Sequence, residues 1–295
     1  MAIDQFIPEV WSARLQRHLD LTLVYGQPTC SNREWEGEIS EAGDTVHINK
    51  IGDPEIKDYD PGVDMDAPEE PDGTTQTLTV DQFKYFNVMV DDVNKAQANV
   101  NLLDRFGERA GVQMANTIDA FIGGKISAAA TVNVTGTDAS PIVVKADGSG
   151  DLTPYELAVE MRRQLKGQEV PINDIWMVID ADLEAEMLED EKYIAAGSEI
   201  GAEFVRTGKI GKIAGFDVLV TQAVPTSPGS GGGTHVPNVK VLAGAGNYAT
   251  TFAGQVTEME AFRPERRFGD ATKGLEVYGT KVLEPETVAQ AHVAK

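Results

Sequence analysis

Cysteine is almost missing from this chain. Cys30 stands alone among 295 residues, so no disulfide can close within one molecule and no thiolate metal cluster can form. That scarcity fits folding in a reducing compartment. Basic residues are few as well, 25 Lys and Arg against 47 Asp and Glu, for a formal charge of -22. Bulk attraction to nucleic acid or to an anionic membrane is thereby excluded, because phosphates are repelled. No run approaches ~18 consecutive apolar residues, so no membrane-spanning helix is expected. The opening Met1-Ala2-Ile3-Asp4-Gln5 has neither the basic region nor the apolar core of a signal peptide. The expectation is a soluble chain made in a cytosol. The four histidines, His18, His47, His235 and His292, show no metal-ligand spacing. The phosphate loop G-x-x-x-x-G-K-[ST], the metal helix H-E-x-x-H and the nucleophile elbow G-x-S-x-G are all missing. No catalytic constellation remains, so the chain reads as a non-enzyme with no metal and no cofactor.

What is present is ordinary for a globular chain: 41% hydrophobic and 24% charged residues, with 29 glycines that point to many turns. Residues 8–24 read as a helix, Pro8 at its start and Trp11, Leu15, Leu19 and Leu23 every four residues. Residues 26–34 read as an irregular connection. Val46, Ile48 and Ile51 mark one strand, and Thr75 to Val90 reads as a second. Residues 97–130 form the longest helical candidate, with Val100, Leu103, Phe106, Ala110, Met114, Ile118, Ile122 and Ile126 on a three-and-four spacing. Its glycines Gly107, Gly111, Gly123 and Gly124 each cost up to ~1 kcal/mol against Ala, so tertiary packing must hold it; they are also candidate bends. Thr131 to Val144 reads as β, residues 154–166 as a helix, Ile175 to Ile179 as a buried strand and Asp180 to Glu191 as a surface helix. Ile210 to Val220 reads as a strand pair around Gly211 and Gly215. Pro225 to Pro237 is a glycine-rich loop, and Val239–Leu242, Val256–Phe262 and Leu275–Leu283 supply late strands.

The least ordinary segment lies between the first two strands. Asp53, Glu55, Asp58, Asp60, Asp64, Asp66, Glu69, Glu70 and Asp72 face one base, Lys57, for a local charge of -8. Pro54, Pro61, Pro68 and Pro71 exclude a helix. A structureless loop of ~20 residues is uncommon in a compact domain. The segment therefore reads as the tip of a projecting two-stranded arm, and two strands alone are marginal in water. Such an arm is mobile, or another molecule covers it; a solvated acidic linker is the plainer alternative.

Two motifs tempt. Asp147, Ser149, Gly150, Asp151 and Glu156 fall on positions of a calcium loop, but Lys145 occupies the first ligand position. Thr153 as N-cap, Pro154 at the first helical position and Glu156 closing a capping box account for the same residues. Gly244-Ala245-Gly246-Asn247-Tyr248-Ala249 matches G-x-G-x-x-A, yet Thr250, Thr251, Phe252 and Gly254 argue against the helix that dinucleotide binding needs. A bend between strands is the expectation there.

Several segments, in order along the chain, carry a resemblance. They are Phe6-Ile7-Pro8-Glu9-Val10-Trp11-Ser12, then Glu41-Ala42-Gly43-Asp44-Thr45-Val46, then Gly208-Lys209-Ile210-Gly211-Lys212-Ile213-Ala214-Gly215-Phe216-Asp217-Val218 with Val224-Pro225. Arg266-Arg267-Phe268-Gly269-Asp270 and Lys273-Gly274-Leu275-Glu276-Val277-Tyr278-Gly279-Thr280-Lys281-Val282 with Pro285 complete the set. Together they resemble a major capsid protein of tailed bacteriophages, of the branch without a large fused scaffolding segment, in the fold shared with encapsulins.

The resemblance implies an α+β fold: an N-terminal arm over 1–40, a long β-hairpin extended loop over 41–92 and a peripheral domain over 93–150 carrying the long spine helix. An α/β axial domain over 151–245 follows, then return strands of the peripheral domain and a C-terminal tail over 246–295. It implies pentamers and hexamers assembling in the host bacterial cytoplasm into an icosahedral virion shell. The implied partners are a separate scaffolding protein, a portal and a decoration protein, with double-stranded DNA enclosed without sequence-specific binding. Interface candidates are the arm acids Asp58, Asp60, Asp64, Glu69 and Glu70, and the cations Arg105, Arg109, Arg263, Arg266 and Arg267. Gly107, Gly111, Gly123 and Gly124 are the candidate spine hinge. Some family members crosslink Lys to Asn, which makes Lys50 and Lys57 conceivable donors. Two alternatives stay open: an encapsulin-type shell around protein cargo, and a dinucleotide-dependent enzyme built on Gly244 and Gly246.

Overall fold

All five residues of β5 (Ile175–Ile179) are buried, and their alternation divides the interior in two. Ile175, Met177 and Ile179 join one core, Trp176 and Val178 another. A strand covered on both faces needs no polar residue, which is why this run is wholly apolar. The computed structural model describes residues 22–35, 45–51, 55–59, 62, 64, 67, 73–91, 102–168, 174–190, 211–227, 238–246, 248–266 and 268–294. The helix expected over 8–24, apart from its last residues, and the glycine-rich loop at 228–237 lie outside them.

Around β5 a seven-stranded mixed sheet forms in the order β4 (Asn133–Thr135), β12 (Val288–Val293), β9 (Asn238–Ala245), β5, β7 (Phe216–Val220) and β6 (Lys212–Ile213), with β8 (Thr226–Ser227) on β9. One face carries α2 (Pro154–Gly167) and α3 (Ala181–Glu189), which bring Leu157, Met161, Leu165, Leu183 and Met187 onto it. The start of α2 follows the expected chemistry: Thr153 Oγ1 accepts from Glu156 N, and the Glu156 carboxylate accepts from Thr153 N. Asp180 caps α3 by accepting from Leu183 N at 3.1 Å. Between β6 and β7 the chain reverses through Ala214 (φ 48) and Gly215 (φ 92), the left-handed pair that tight hairpins favour.

The opposite face carries α1 (Leu102–Ala129), through Met114, Ala115, Ile118, Ile122 and Ile126. This helix also lies on a second, antiparallel sheet of β10 (Thr250–Phe262), β11 (Gly269–Val282) and β3 (Gln82–Asp91). Phe252 and Tyr278 reach from that sheet into the same core, and the Phe121 and Tyr278 rings meet edge-on at 5.5 Å. A third element is the hairpin base of β1 (Thr45–Ile51) and β2 (Gly73–Thr79), paired from Thr45↔Thr79 to Ile51↔Gly73. It stands on the three-stranded sheet through a small core of Val46, Leu78, Val80, Ala253 and Val277.

Three expectations need correcting. The run Thr75 to Val90 is two strands in different sheets, because the β11 backbone closes on its middle: a Cβ on Gly279 would sit 2.4 Å from Thr79 O. Thr131 to Val144 is mostly irregular, since Gly136 (φ 73) ends β4 after three residues and only single bridges form at Ile142 and Val144. No strand is expected past Leu283, yet β12 runs fully buried between β4 and β9. Its alanines, Gln290 and His292 carry little β signal, and burial in the sheet overrides it.

Candidate functional site

Of the acids expected to form an arm tip, the described ones, Glu55, Asp58 and Asp64, fall between the paired strands β1 and β2. Glu55, Lys57, Asp58 and Asp64 are exposed there, and Glu55 pairs with Lys57 at 3.5 Å within the tip itself. Asp60, Glu69 and Glu70 lie outside the described residues. Between the acids stand two apolar side chains that charge counting passes over: Ile56 is 90% exposed and Tyr59 68%.

The expected cations fall in two places. Arg263 and Arg266 are exposed at the turn between β10 and β11. Arg105 and Arg109 are one turn apart on α1; Arg109 is exposed, while the Arg105 side chain and all of Arg267 lie outside the described residues. The three-stranded sheet exposes Phe83 and Tyr85, and the turn between β10 and β11 exposes Phe268, none of them anticipated. Alternation along a strand with one covered face would have flagged Phe83 and Tyr85 only if the covering element were known.

The candidate hinge glycines lie in one continuous helix. Gly123 is needed for contact, because a Cβ there would meet Tyr25 Cε2 at 3.0 Å and Pro225 Cγ at 3.2 Å. A Cβ on Gly124 would meet nothing within 4 Å. Tyr25 belongs to a strap, residues 22–32, that crosses α1 and joins β10 through Asn32 N to Thr250 O at 2.8 Å and Phe252 N to Asn32 O at 2.9 Å. Asp119, 1% exposed on α1, fastens it by accepting from Val24 N at 2.8 Å, Tyr25 N at 2.9 Å and Gly26 N at 3.4 Å. Burial pushes its carboxyl up to about 6 against the lowering effect of those three donors. Burial also raises the Tyr25 hydroxyl and the Cys30 thiol beside it. Cys30 is thus inert packing, as expected of a buried thiol.

The two tempting motifs do other work. In the calcium-like loop Asp147 Oδ1 accepts from Ser149 N, Asp151 Oδ2 accepts from Val143 N, and Lys145 pairs with Glu186. No group of three or more His, Cys, Asp or Glu placed to hold a metal occurs among the described residues. The dinucleotide-like stretch runs into β10 rather than a helix, so no helix N-terminus faces it. The Trp176 indole fills the space over Gly244, where a Cβ would lie 2.5 Å from Cζ2, and its Nε1 donates to Gly246 O at 3.0 Å. That arrangement leaves no cradle for a pyrophosphate, which removes the dinucleotide reading of this stretch. Lys57, a conceivable crosslink donor, is paired with Glu55, and the Lys50 side chain lies outside the described residues. No described helix is long and apolar enough to cross a membrane.

A further polar cluster, also missed, pins β12. Gln290 Nε2 donates to His292 Nε2 at 2.7 Å, so His292 Nδ1 carries the proton it gives to Asp138 Oδ1 at 2.6 Å. Asn238 Nδ2 donates to Asp138 O at 3.1 Å.

Comparison with known proteins follows the same lines. A family model described as phage capsid protein matches residues 73–291. Among solved structures the chain is similar to that of Mycobacterium phage Che8, at 23% identity and a TM-score of 0.67 over 88% of each chain. It is similar to the capsid structure of cyanophage P-SCSP1u, at 18% identity and a TM-score of 0.61, covering 87% of this chain and 85% of that one. A virus-like particle from Pyrococcus furiosus matches at 11% identity and a TM-score of 0.54, covering 96% and 98%. No curated protein matches the chain by sequence.

Proposed function

The chain belongs to the phage capsid protein family, its role is structural, and from that premise we propose how it builds its shell. Subunits assemble as pentamers and hexamers in the host cytoplasm, with a separate scaffolding protein, a portal and a decoration protein as partners. Residues 1–40 act as the N-terminal arm, 41–92 as the extended loop, with β3 returning it to the three-stranded sheet, 93–150 and 246–295 as the peripheral domain, which lends β4 and β12 to the seven-stranded sheet, and 151–245 as the body of the axial domain.

One observation carries this reading: a hairpin whose base is packed on its own sheet while its acidic tip stands in solvent. A marginal two-stranded element of this kind is completed by a neighbouring copy. The tip's acids meet Arg263, Arg266 and Arg267 or Arg105 and Arg109 of that neighbour. Each exposed pair is worth only ~0–1 kcal/mol, but the contact repeats at every subunit. The net charge of -22 keeps packaged DNA from adhering to the wall, so the genome is enclosed without base-specific contacts.

Negative-stain microscopy of the expressed chain, with and without a co-expressed scaffolding protein, tests the assembly. Closed shells are expected, and soluble monomers under both conditions refute the reading. Replacing Arg266 and Arg267 together with Glu is expected to lower assembly yield and shift its salt dependence while subunits stay folded; unchanged yield and salt response rule out the ionic docking.

The likeness to a virus-like particle over nearly its whole length favours one second reading, a shell that encloses protein. Copurifying DNA supports the genome container and copurifying enzyme supports the compartment.

A further inference from the structure

The strap over residues 22–32 is held in shape by its own bonds. Gln27 N donates to Val24 O at 3.4 Å, Ser31 N to Gln27 O at 2.9 Å and the Ser31 hydroxyl to Tyr25 O at 2.7 Å. At one end Asn32 ties this unit to β10. At the other, the backbone N–H groups of Val24, Tyr25 and Gly26 all converge on one carboxylate, Asp119 of α1. Between the two ties Leu23, Tyr25 and Cys30 share a core with Ile118 and Ile122. The strap is therefore a preformed turn fixed at two points, and one of those points is a buried acid.

A carboxylate removed from water needs a cation or enough donors to hold a full charge. Arg33 on the strap and Lys125 on α1 are directed elsewhere, over the Phe252 and Phe121 rings. The other titratable groups of this core among the described residues are Tyr25, Cys30 and Tyr278, and burial raises all three. They stay neutral between pH 5 and 8, so of this group only Asp119 changes charge there. We propose that Asp119 is a proton-gated catch: protonated, it holds the strap on α1, and ionised, it lets residues 22–32 swing away about Asn32. The sign follows from desolvation. In the closed strap burial raises the carboxyl from 3.8 to about 6, and in the open strap it regains water and its ordinary value. The closed form binds the proton more tightly, so closure is firmest in acid and weakens as pH rises toward 6. Leu23 and Tyr25 keep the strap closed most of the time at every pH, and the proton sets how often it opens. The catch goes beyond the assembly reading; where residues 1–40 serve as the arm, it is the joint at which the arm is let go.

Cys30 reports the opening, because it is the chain's one thiol and lies fully buried on the strap. In unassembled full-length subunits its rate of reaction with dithiodipyridine is divided by the rate in the urea-unfolded chain at the same pH. That ratio measures the open fraction free of the thiol's own titration. It is expected to rise about tenfold from pH 5 to pH 8, most of it below pH ~6.5. Asp119→Asn, which has no proton to lose, is expected to give a flat ratio. Amide hydrogen exchange over residues 22–32, corrected for its intrinsic pH dependence, is expected to follow the same curve while Ile175–Ile179 stays protected throughout. A flat ratio in the unaltered chain overturns the proposal, and so does an equal rise in Asp119→Asn. A ratio that falls with pH overturns it as well, because the ionised carboxylate then holds the strap. Exchange that rises equally in β5 overturns it too, since the whole subunit is then opening. Should Asp119→Asn fail to fold, the thiol ratio and the strap amides of the unaltered chain, set against β5, decide alone. None of these outcomes depends on shells, so failure of the catch leaves capsid assembly standing, and failure to assemble leaves the catch standing.

Discussion

Asp119 sets burial against hydrogen bonding, and pH separates the two. Its carboxylate is 1% exposed and has three backbone donors, and among the described residues the titratable groups facing it are Tyr25 and Cys30, with no cation. Desolvation wins, raising it from 3.8 to about 6 in the folded chain. A raised folded-state value means that the folded form binds the proton more tightly than the unfolded form. Stability from this group is therefore fully present below pH ~4 and is lost as pH rises toward 6. Roughly two units at about 1.4 kcal/mol each put the loss on the order of 3 kcal/mol. Other carboxylates titrate in the same window, so the measurement is a difference. Urea unfolding of unassembled subunits at pH 4 to 8 is compared with Asp119→Asn, which cannot ionise. Wild-type stability minus variant stability is expected to fall between pH 4 and 6 and then level off. A difference that rises with pH refutes the reasoning: the three N–H groups would then stabilise the charge by more than burial costs it, and the strap would be locked by ionisation.

Neighbouring glycines on α1 should behave oppositely. Gly124→Ala, with nothing within 4 Å of the new Cβ, is expected to stabilise subunits by ~0.5–1 kcal/mol, whereas Gly123→Ala, pressed on Tyr25 and Pro225, destabilises them; thermal melts compare the two. Thr153→Ala removes the capping box of α2 and is expected to cost about 0.5–2 kcal/mol in urea unfolding, with secondary structure otherwise retained. Gly244→Ala drives a methyl to 2.5 Å from Trp176 and is expected to lower stability by ~1–3 kcal/mol and to shift the buried indole's fluorescence; unchanged emission contradicts the close contact.

These residues also mark where the sequence could be read and where it could not. Thr153, Pro154 and Glu156 announce their helix start because a capping box is complete within four residues, and Ile175–Ile179 announces a two-sided strand because its composition tolerates no water. Ala214-Gly215 does the same for a turn. Asp119 gives no such signal: a lone acid on a helix looks solvated until a strap about 95 residues away in sequence supplies its donors. Gly123 and Gly244 read as weak points in a helix and a motif, although each is small because a ring from elsewhere needs the space. β12 is silent for a related reason, since its polar Gln290 and His292 find partners only once Asp138 is folded beside them. The arm is the instructive intermediate. Its charge made it visible, and prolines excluded a helix, so its place in the fold could be read locally. Its apolar content could not, because the acids dominate the segment while Ile56 and Tyr59, two unremarked letters among them, turn out to stand exposed at 90% and 68%. Local patterns are legible when the chain satisfies them nearby. Side chains that the subunit leaves exposed, such as Ile56 and Tyr59, are visible only once the chain is folded, and charge in the sequence does not single them out.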